Sequence, residues 1–189
     1  MLEFIQSMDA GALLWVQAHL RPALLDGPMI VISTLGNAGL IWIALGVVLT
    51  AIPKTRKYGV LALVSLLVCF LFNNMLLKNL VARPRPYTQL DQLVMLMPCP
   101  ADHSFPSGHA CSSFATAGSL MWSMGKRWNA IRLPALALAI LIAFSRIYVG
   151  IHYPTDVLTG AAVGLLGSFL ICRFCSGPYD TLSRRLGRW

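Results

Sequence analysis

The stretch LPALALAILIAFSRIYVGIHYPTDVLTG, residues 133–160, decides how the chain folds. From Leu133 to Val149 it carries one charge, Arg146, and its apolar run is long enough for a helix that crosses a bilayer core. A second helix then begins, with Pro154 in its first turn, where a missing N–H is tolerated. His152 and Asp156 stand four residues apart, so a helix starting near His152 puts both on one face. A cation in hydrocarbon is costly unless it is paired or functional, so Arg146 marks the end of the first helix as a place of chemistry.

Composition agrees with this reading. The chain has 189 residues, of which 57% are hydrophobic and 12% charged, so the bilayer is its solvent. A net charge of +8 invites a nucleic-acid partner. That partner needs a basic face interleaved with aromatics, whereas here the charges form short clusters between apolar runs, so nucleic acid is excluded. Glu3 and Asp9 precede any basic residue, and no compact apolar core ends in a small-residue cleavage site, so no cleaved signal peptide is expected. The five cysteines have no metal-site spacing. Cys69, Cys172 and Cys175 read as small buried hydrophobes. Whether Cys99 and Cys111 pair on the outer side stays open, because spacing does not supply disulfide geometry. The inverted repeat of many secondary transporters is missing.

Outward from residues 133–160, the same pattern recurs. Met1 to Leu25 mixes apolar side chains with Glu3, Asp9, His19 and Arg21, which predicts one or two interfacial helices with Trp15 near the headgroups. Pro28 to Ile52 is uncharged, and Gly36-Asn37 divides it into an approach segment and a spanning helix. Tyr58 to Leu77 spans next, with about 20 uncharged residues. Asn79 to Phe105 is polar and proline-bearing and forms an exposed loop. Ser107 to Met124 returns, Leu133 to Val149 crosses again, and Thr155 to Phe174 makes the last pass. The expectation is an all-α, polytopic transmembrane bundle of about five spans plus N-terminal interfacial helices. It forms one integral membrane domain over residues 1–189. Residues 1–35 are the interfacial and approach segment, 36–175 the catalytic bundle, and 176–189 a basic tail. The basic residues at 54–57, 126–132 and 173–188 fall on one side, which the positive-inside rule makes cytoplasmic. Lys78, Arg83, Arg85 and Arg146 then stand on the other side, against the rule, and need another reason to be there.

Three clusters supply it. Lys78 and Arg85 at a membrane boundary either extend to the headgroups or hold a phosphate, the arginine by a planar two-point grip and the lysine as a point charge. Arg83-Pro84 repeats Arg85-Pro86, and spacing alone leaves open which arginine points inward. Pro106-Ser107-Gly108-His109 opens a helix, with the proline expected at its first position. That is an ordinary helix start, or an anion cradle in which free N–H groups, the Ser107 hydroxyl and the bare Gly108 backbone meet an oxyanion beside His109. In the third cluster Asp156 can accept the Nδ1 proton of His152 and leave Nε2 as a nucleophile. The bland alternative is a hydrogen bond that ties down a helix start. All these groups lie at helix ends on one side, so a bundle brings them together.

Ordered in this way, Lys78 through Arg85-Pro86, Pro106-Ser107-Gly108-His109, and Ser145-Arg146 with His152 and Asp156 match the signature K-x6-R-P, P-S-G-H and S-R-x5-H-x3-D. The chain thus resembles the type 2 phosphatidic acid phosphatases over roughly residues 58–175. The first third resembles them only loosely, and the first spanning helix of six-span members is lacking. The resemblance implies that His152 attacks phosphorus and forms a phosphohistidine, oriented by Asp156, and that His109 protonates the leaving oxygen and then activates water. It implies that Lys78, Arg85, Ser107, Gly108 and Arg146 hold the non-bridging oxygens, with no metal and no cofactor, and it selects Arg85 over Arg83. The implied partner is a lipid phosphate or diphosphate, reached at the extracytoplasmic face of the plasma membrane. Small bacterial members act on phosphatidylglycerol phosphate, phosphatidic acid, undecaprenyl diphosphate or phosphorylated lipid A. The rival readings are lipid-to-lipid phosphotransfer through the same site, and phosphate or lipid binding or transport without cleavage. The vanadate-dependent haloperoxidases, which share the motifs, are disfavoured by the spanning helices.

Overall fold

The decisive stretch folds as read: α7 runs from Asn129 to Tyr148 and α8 from Pro154 to Arg185, joined by a tight turn in which Gly150 takes φ +84°. The structure, a computed structural model, describes residues 2–98 and 100–185. Six further helices precede these two: α1 Leu2–His19, α2 Ala23–Leu35, α3 Leu40–Ala51, α4 Arg56–Phe70, α5 Lys78–Val81 and α6 Gly108–Ser123. A π-helical turn, Leu71–Leu77, joins α4 to α5, so that segment is continuous. Among the described residues there is no strand.

Three helical segments, Arg56–Thr88, Lys126–Tyr148 and Pro154–Arg185, are long and apolar enough to cross a membrane. The pair Ala23–Leu35 and Asn37–Ala51, bent by 49° at the expected Gly36-Asn37 break, is together long and apolar enough for a fourth crossing if it forms one broken span instead of a re-entrant loop. The fifth expected passage, α6, has 16 residues. At 1.5 Å per residue that is about 24 Å, short of a hydrocarbon core of about 30 Å. Its surroundings explain the short length. Ala110, Cys111, Ser113, Ala115, Thr116, Ala117 and Leu120 are all fully buried, so α6 is sheathed by the other helices instead of lipid.

Helices α6 and α8 approach each other closely. A Cβ on Gly160 would lie 2.4 Å from the Ser107 carbonyl oxygen, and one on Gly164 would lie 2.4 Å from that of Cys111. Two glycines four residues apart thus let two backbones touch, as small residues do between membrane helices. The Ser107 N–H donates to the Asp156 carbonyl at 3.0 Å, which pins the start of α6 against the start of α8.

Opposite ends of the bundle differ in chemistry. At one end Lys57 pairs with Asp180 at 2.6 Å, the Tyr58 and Trp128 rings lie 6.4 Å apart, and Arg132 donates to the Met124 carbonyl. Three basic clusters therefore gather there, around a core of Trp42, Leu49, Leu66, Leu120 and Ile142. Helix α8 continues through Pro178 to Arg185, so residues 176–185 are helical. Cys111 is free and buried, its thiol donating to the Cys69 carbonyl, and Cys99 lies outside the described residues. The N-terminal helix exposes Trp15, as an interfacial helix should, but it also carries Asp9 into the interior at 3% exposure.

Candidate active site

At the other end, between α4–α5, α6, α7 and the start of α8, lies a cavity of about 470 Å³. Lys78, Arg85, Gly108, His109, Arg146 and His152 all line it, so groups from four helix ends meet in one place. Ser107 and Asp156 stand behind the wall. Ser107 is the N-cap of α6, its hydroxyl accepting the Ala110 N–H at 3.4 Å. Pro106 therefore precedes the cap, one residue outside the helix, and does not occupy its first position as expected.

His152 is buried, and its two nitrogens have separate partners. Nδ1 faces Asp156 Oδ2 at 3.4 Å, and Nε2 lies 3.1 Å from Arg85 Nη1. A guanidinium has only donors, so Nε2 must accept and Nδ1 must carry the proton. The lone pair that a nucleophile needs thus points at Arg85, one of the cations on the cavity wall. Burial, opposed by the hydrogen bond to Asp156, pulls the His152 pKa down from 6.5 to about 4, so the ring is neutral near pH 7. Asp156, fully buried, also accepts the Ser104 hydroxyl and the Tyr153 N–H at 2.9 Å on Oδ2.

The cations differ in their pairing. Arg85 donates through Nε to the Asp102 carbonyl and through Nη1 to the Ile151 carbonyl, both at 2.9 Å. Arg85 Nη2 and Lys78 Nζ grip the two carboxylate oxygens of Asp102, each at 2.5 Å. Burial alone would raise the Asp102 pKa, but bonds from Lys78 and Arg85 hold it at about 2. Its carboxylate oxygens sit on Lys78 and Arg85 as the oxygens of a bound phosphate would. Arg146 is different: it is 4% exposed, it donates to Ser33 Oγ at 2.5 Å, and its Nε has no partner. Among the described residues it pairs with no carboxylate, and a buried unpaired cation on a cavity wall calls for an anion.

Several site residues were not evident from the motifs. Asn37, at the α2–α3 break, holds His109 by a 3.0 Å contact between Oδ1 and Nε2. Its backbone neighbourhood is tight. Ala38 takes φ +51°, and a Cβ on Gly36 would meet His109 Cδ2 at 2.7 Å. Asn74, on the π-turn, lies against Gly108, where a Cβ would sit 2.9 Å from its Oδ1. π-turns are frequent at functional sites, and this one turns two polar side chains of an apolar span inward. The signals available were the polar Ser33 and the Asn73-Asn74 pair within uncharged segments. Arg83 does not reach the cavity and points instead to Asp156 and Asp9.

A cavity walled by an oriented histidine, a second histidine and three cations is a phosphoryl-transfer constellation. The PAP2 superfamily model matches residues 58–177, which hold every one of the motif residues. The chain belongs to the PAP2 superfamily. It is similar to the undecaprenyl-diphosphatase of Sulfolobus acidocaldarius, at 32% identity over 87% of this chain and 78% of that one. It is also similar to undecaprenyl-diphosphatase BcrC of Bacillus subtilis, at 30% over 80% and 76%. Among solved structures, the PAP2-type phosphatidylglycerolphosphate phosphatase of Bacillus subtilis superposes with a TM-score of 0.74. It has 27% identity and covers 92% of this chain and 87% of its own. LpxE of Aquifex aeolicus follows at 0.70, with 28% identity over 87% and 94%. This PAP2 member is a membrane lipid phosphatase.

Proposed function

We propose that this PAP2 phosphatase cleaves a polyprenyl diphosphate or a similar lipid phosphate through a phosphohistidine on His152, at the extracytoplasmic face. The observation that carries the reading is the pairing of His152. Arg85 can only donate to Nε2, so a lone pair is available there while Asp156 accepts the Nδ1 proton. In the reaction Nε2 forms a bond to phosphorus as the bond to the lipid-side oxygen breaks. The Nδ1–H stays with Asp156, which stabilises the positive charge that develops on the ring. His109 gives its proton to the leaving oxygen and takes one from the water that hydrolyses the phosphohistidine. Lys78, Arg85, Arg146 and the Gly108 N–H bind the non-bridging oxygens and offset their charge in the transition state. Ser107 supports this cradle as the cap of α6. Among the described residues no group of three or more His, Cys, Asp or Glu side chains is arranged to hold a metal ion.

The names of the Sulfolobus and Bacillus relatives favour a polyprenyl diphosphate. The extracytoplasmic assignment rests on the basic clusters collected at the opposite end of the bundle. The reading is tested with purified protein on a panel of polyprenyl, glycerolipid and lipid A phosphates. Phosphate release from polyprenyl diphosphate, inhibition by vanadate, indifference to EDTA and complete loss in His152→Ala are expected. Undiminished turnover by His152→Ala would refute the nucleophile.

A further inference from the structure

Arg83 is a cation on the side of the membrane where the positive-inside rule disfavours one, and it lies outside the catalytic cavity. Its reason to be there is a second layer of charge behind the nucleophile. Nη1 donates to Asp156 Oδ1 at 2.7 Å and to Thr155 Oγ1 at 2.8 Å, and Nη2 donates to Asp9 Oδ2 at 2.7 Å. The guanidinium also sits 4.0 Å over the Tyr153 ring. Asp9, carried in by α1, accepts the Thr155 N–H at 3.0 Å and the Thr155 hydroxyl. Both carboxylates are buried, Asp9 at 3% and Asp156 at 0% exposure, and this single cation lies between them.

Two buried carboxylates cannot both stay ionised without a counter-charge. Arg83 supplies it, and it also decides how Asp156 is turned. With Oδ1 taken by the guanidinium, Oδ2 is left to meet His152 Nδ1, the Ser104 hydroxyl and the Tyr153 N–H. We propose that Arg83 and Asp9 are positioning residues for the phosphoryl transfer: the Asp9–Arg83 pair keeps Asp156 ionised and rotated toward His152, which makes α1 part of the catalytic centre. This rests on the reading of His152 as the nucleophile.

The experiment compares Arg83→Gln, Arg83→Lys and the double variant Arg83→Gln/Asp9→Asn with wild type in detergent, and includes His152→Ala in the same assay. It records kcat, KM, the rate of acid-quenched phosphoenzyme formation and the melting temperature. Arg83→Gln leaves two buried carboxylates without a cation. Its kcat and phosphoenzyme rate should fall roughly 10- to 100-fold, the range found when the hydrogen-bond partner behind a metal-bound histidine is removed. KM should stay near wild type, because Arg83 does not touch the cavity. The double variant returns the cluster to its original net charge of one negative and should recover both melting temperature and kcat above the Arg83→Gln level. Arg83→Lys, which keeps the charge but lacks the fork, should fall between wild type and Arg83→Gln at wild-type stability. Wild-type kcat in Arg83→Gln, a loss confined to KM, or a double variant no better than the single one overturns the proposal. If Arg83→Gln does not fold, wild-type kcat in Arg83→Lys and in the double variant overturns it. Retained activity in His152→Ala would remove the nucleophile reading itself, which separates the two failures.

Discussion

One methyl group added at Gly160 measures how closely the two histidine-bearing helices must approach. A Cβ there would lie 2.4 Å from the Ser107 carbonyl oxygen, 3.2 Å from Ala110 Cβ and 3.3 Å from Cys111 N. The oxygen cannot turn aside, because it accepts the Cys111 N–H at 3.0 Å in the first turn of α6. Real Cβ contacts stop near 3.0 Å, so relief from 2.4 Å requires the starts of α6 and α8 to part by at least 0.6 Å. His109 lies in the first turn of α6 and His152 two residues before α8, and both line the cavity. A misplacement of about 1 Å costs on the order of 100-fold in rate, so Gly160→Ala should lower kcat by about 10-fold. Overpacking should also cost about 1–3 kcal/mol of stability. The assay is phosphate release and thermal unfolding in one detergent, with Gly177→Ala as the control. Gly177 lies on the same helix with nothing within 4 Å of its added methyl group, and that variant should keep full activity. Wild-type kcat and melting temperature in Gly160→Ala would refute the claim that the α6–α8 contact sets the catalytic geometry.

Three further outcomes follow from the site. His152 must be neutral to attack, and its pKa is held near 4 mainly by burial, so kcat/KM should stay high as pH falls from 6.5 and drop only near pH 4. A profile corrected for substrate ionisation that is half-lost near pH 6.5 would show a solvated histidine instead. Asp102 occupies Lys78 and Arg85 with its own carboxylate, so Asp102→Asn should free both cations and lower KM for a diphosphate by several-fold, measured under initial-rate conditions. A raised KM would mean that Asp102 serves to shape the phosphate seat. Lys54 is exposed at the basic end of the bundle, so Lys54→Ala should leave turnover unchanged; a large loss would argue against the assigned topology.

The apolar runs, the helix ends and the three charged clusters were legible in the residues because membrane solvation is severe and local. A segment either can bury its backbone and side chains in hydrocarbon or cannot, and Leu133–Val149 with its single arginine states this almost residue by residue. The motif spacing also pointed to Lys78, Arg85, His109, Arg146 and His152, which the structure gathers around one cavity. The extent of the helices was less legible. α6 is sheathed by its neighbours, and α8 runs past Pro178 to where Asp180 meets Lys57 on α4, contacts made by residues far apart in the chain. The supporting side chains were the least legible. Ser33, Asn37, Asn74 and Asp9 each come from a segment whose local pattern says only interface, break or span. Thus the sequence by itself determined that the protein is a bundle of membrane helices with charged clusters at helix ends, and its motif resemblance implied phosphate chemistry there, since apolar runs, charge placement and spacing are properties of single segments. The motif register pointed to Arg85, but only the tertiary structure decided that Arg83 turns back toward Asp9 and Asp156. Two arginines two residues apart are chemically identical until the packing of α1, α6 and α8 gives each a different set of acceptors.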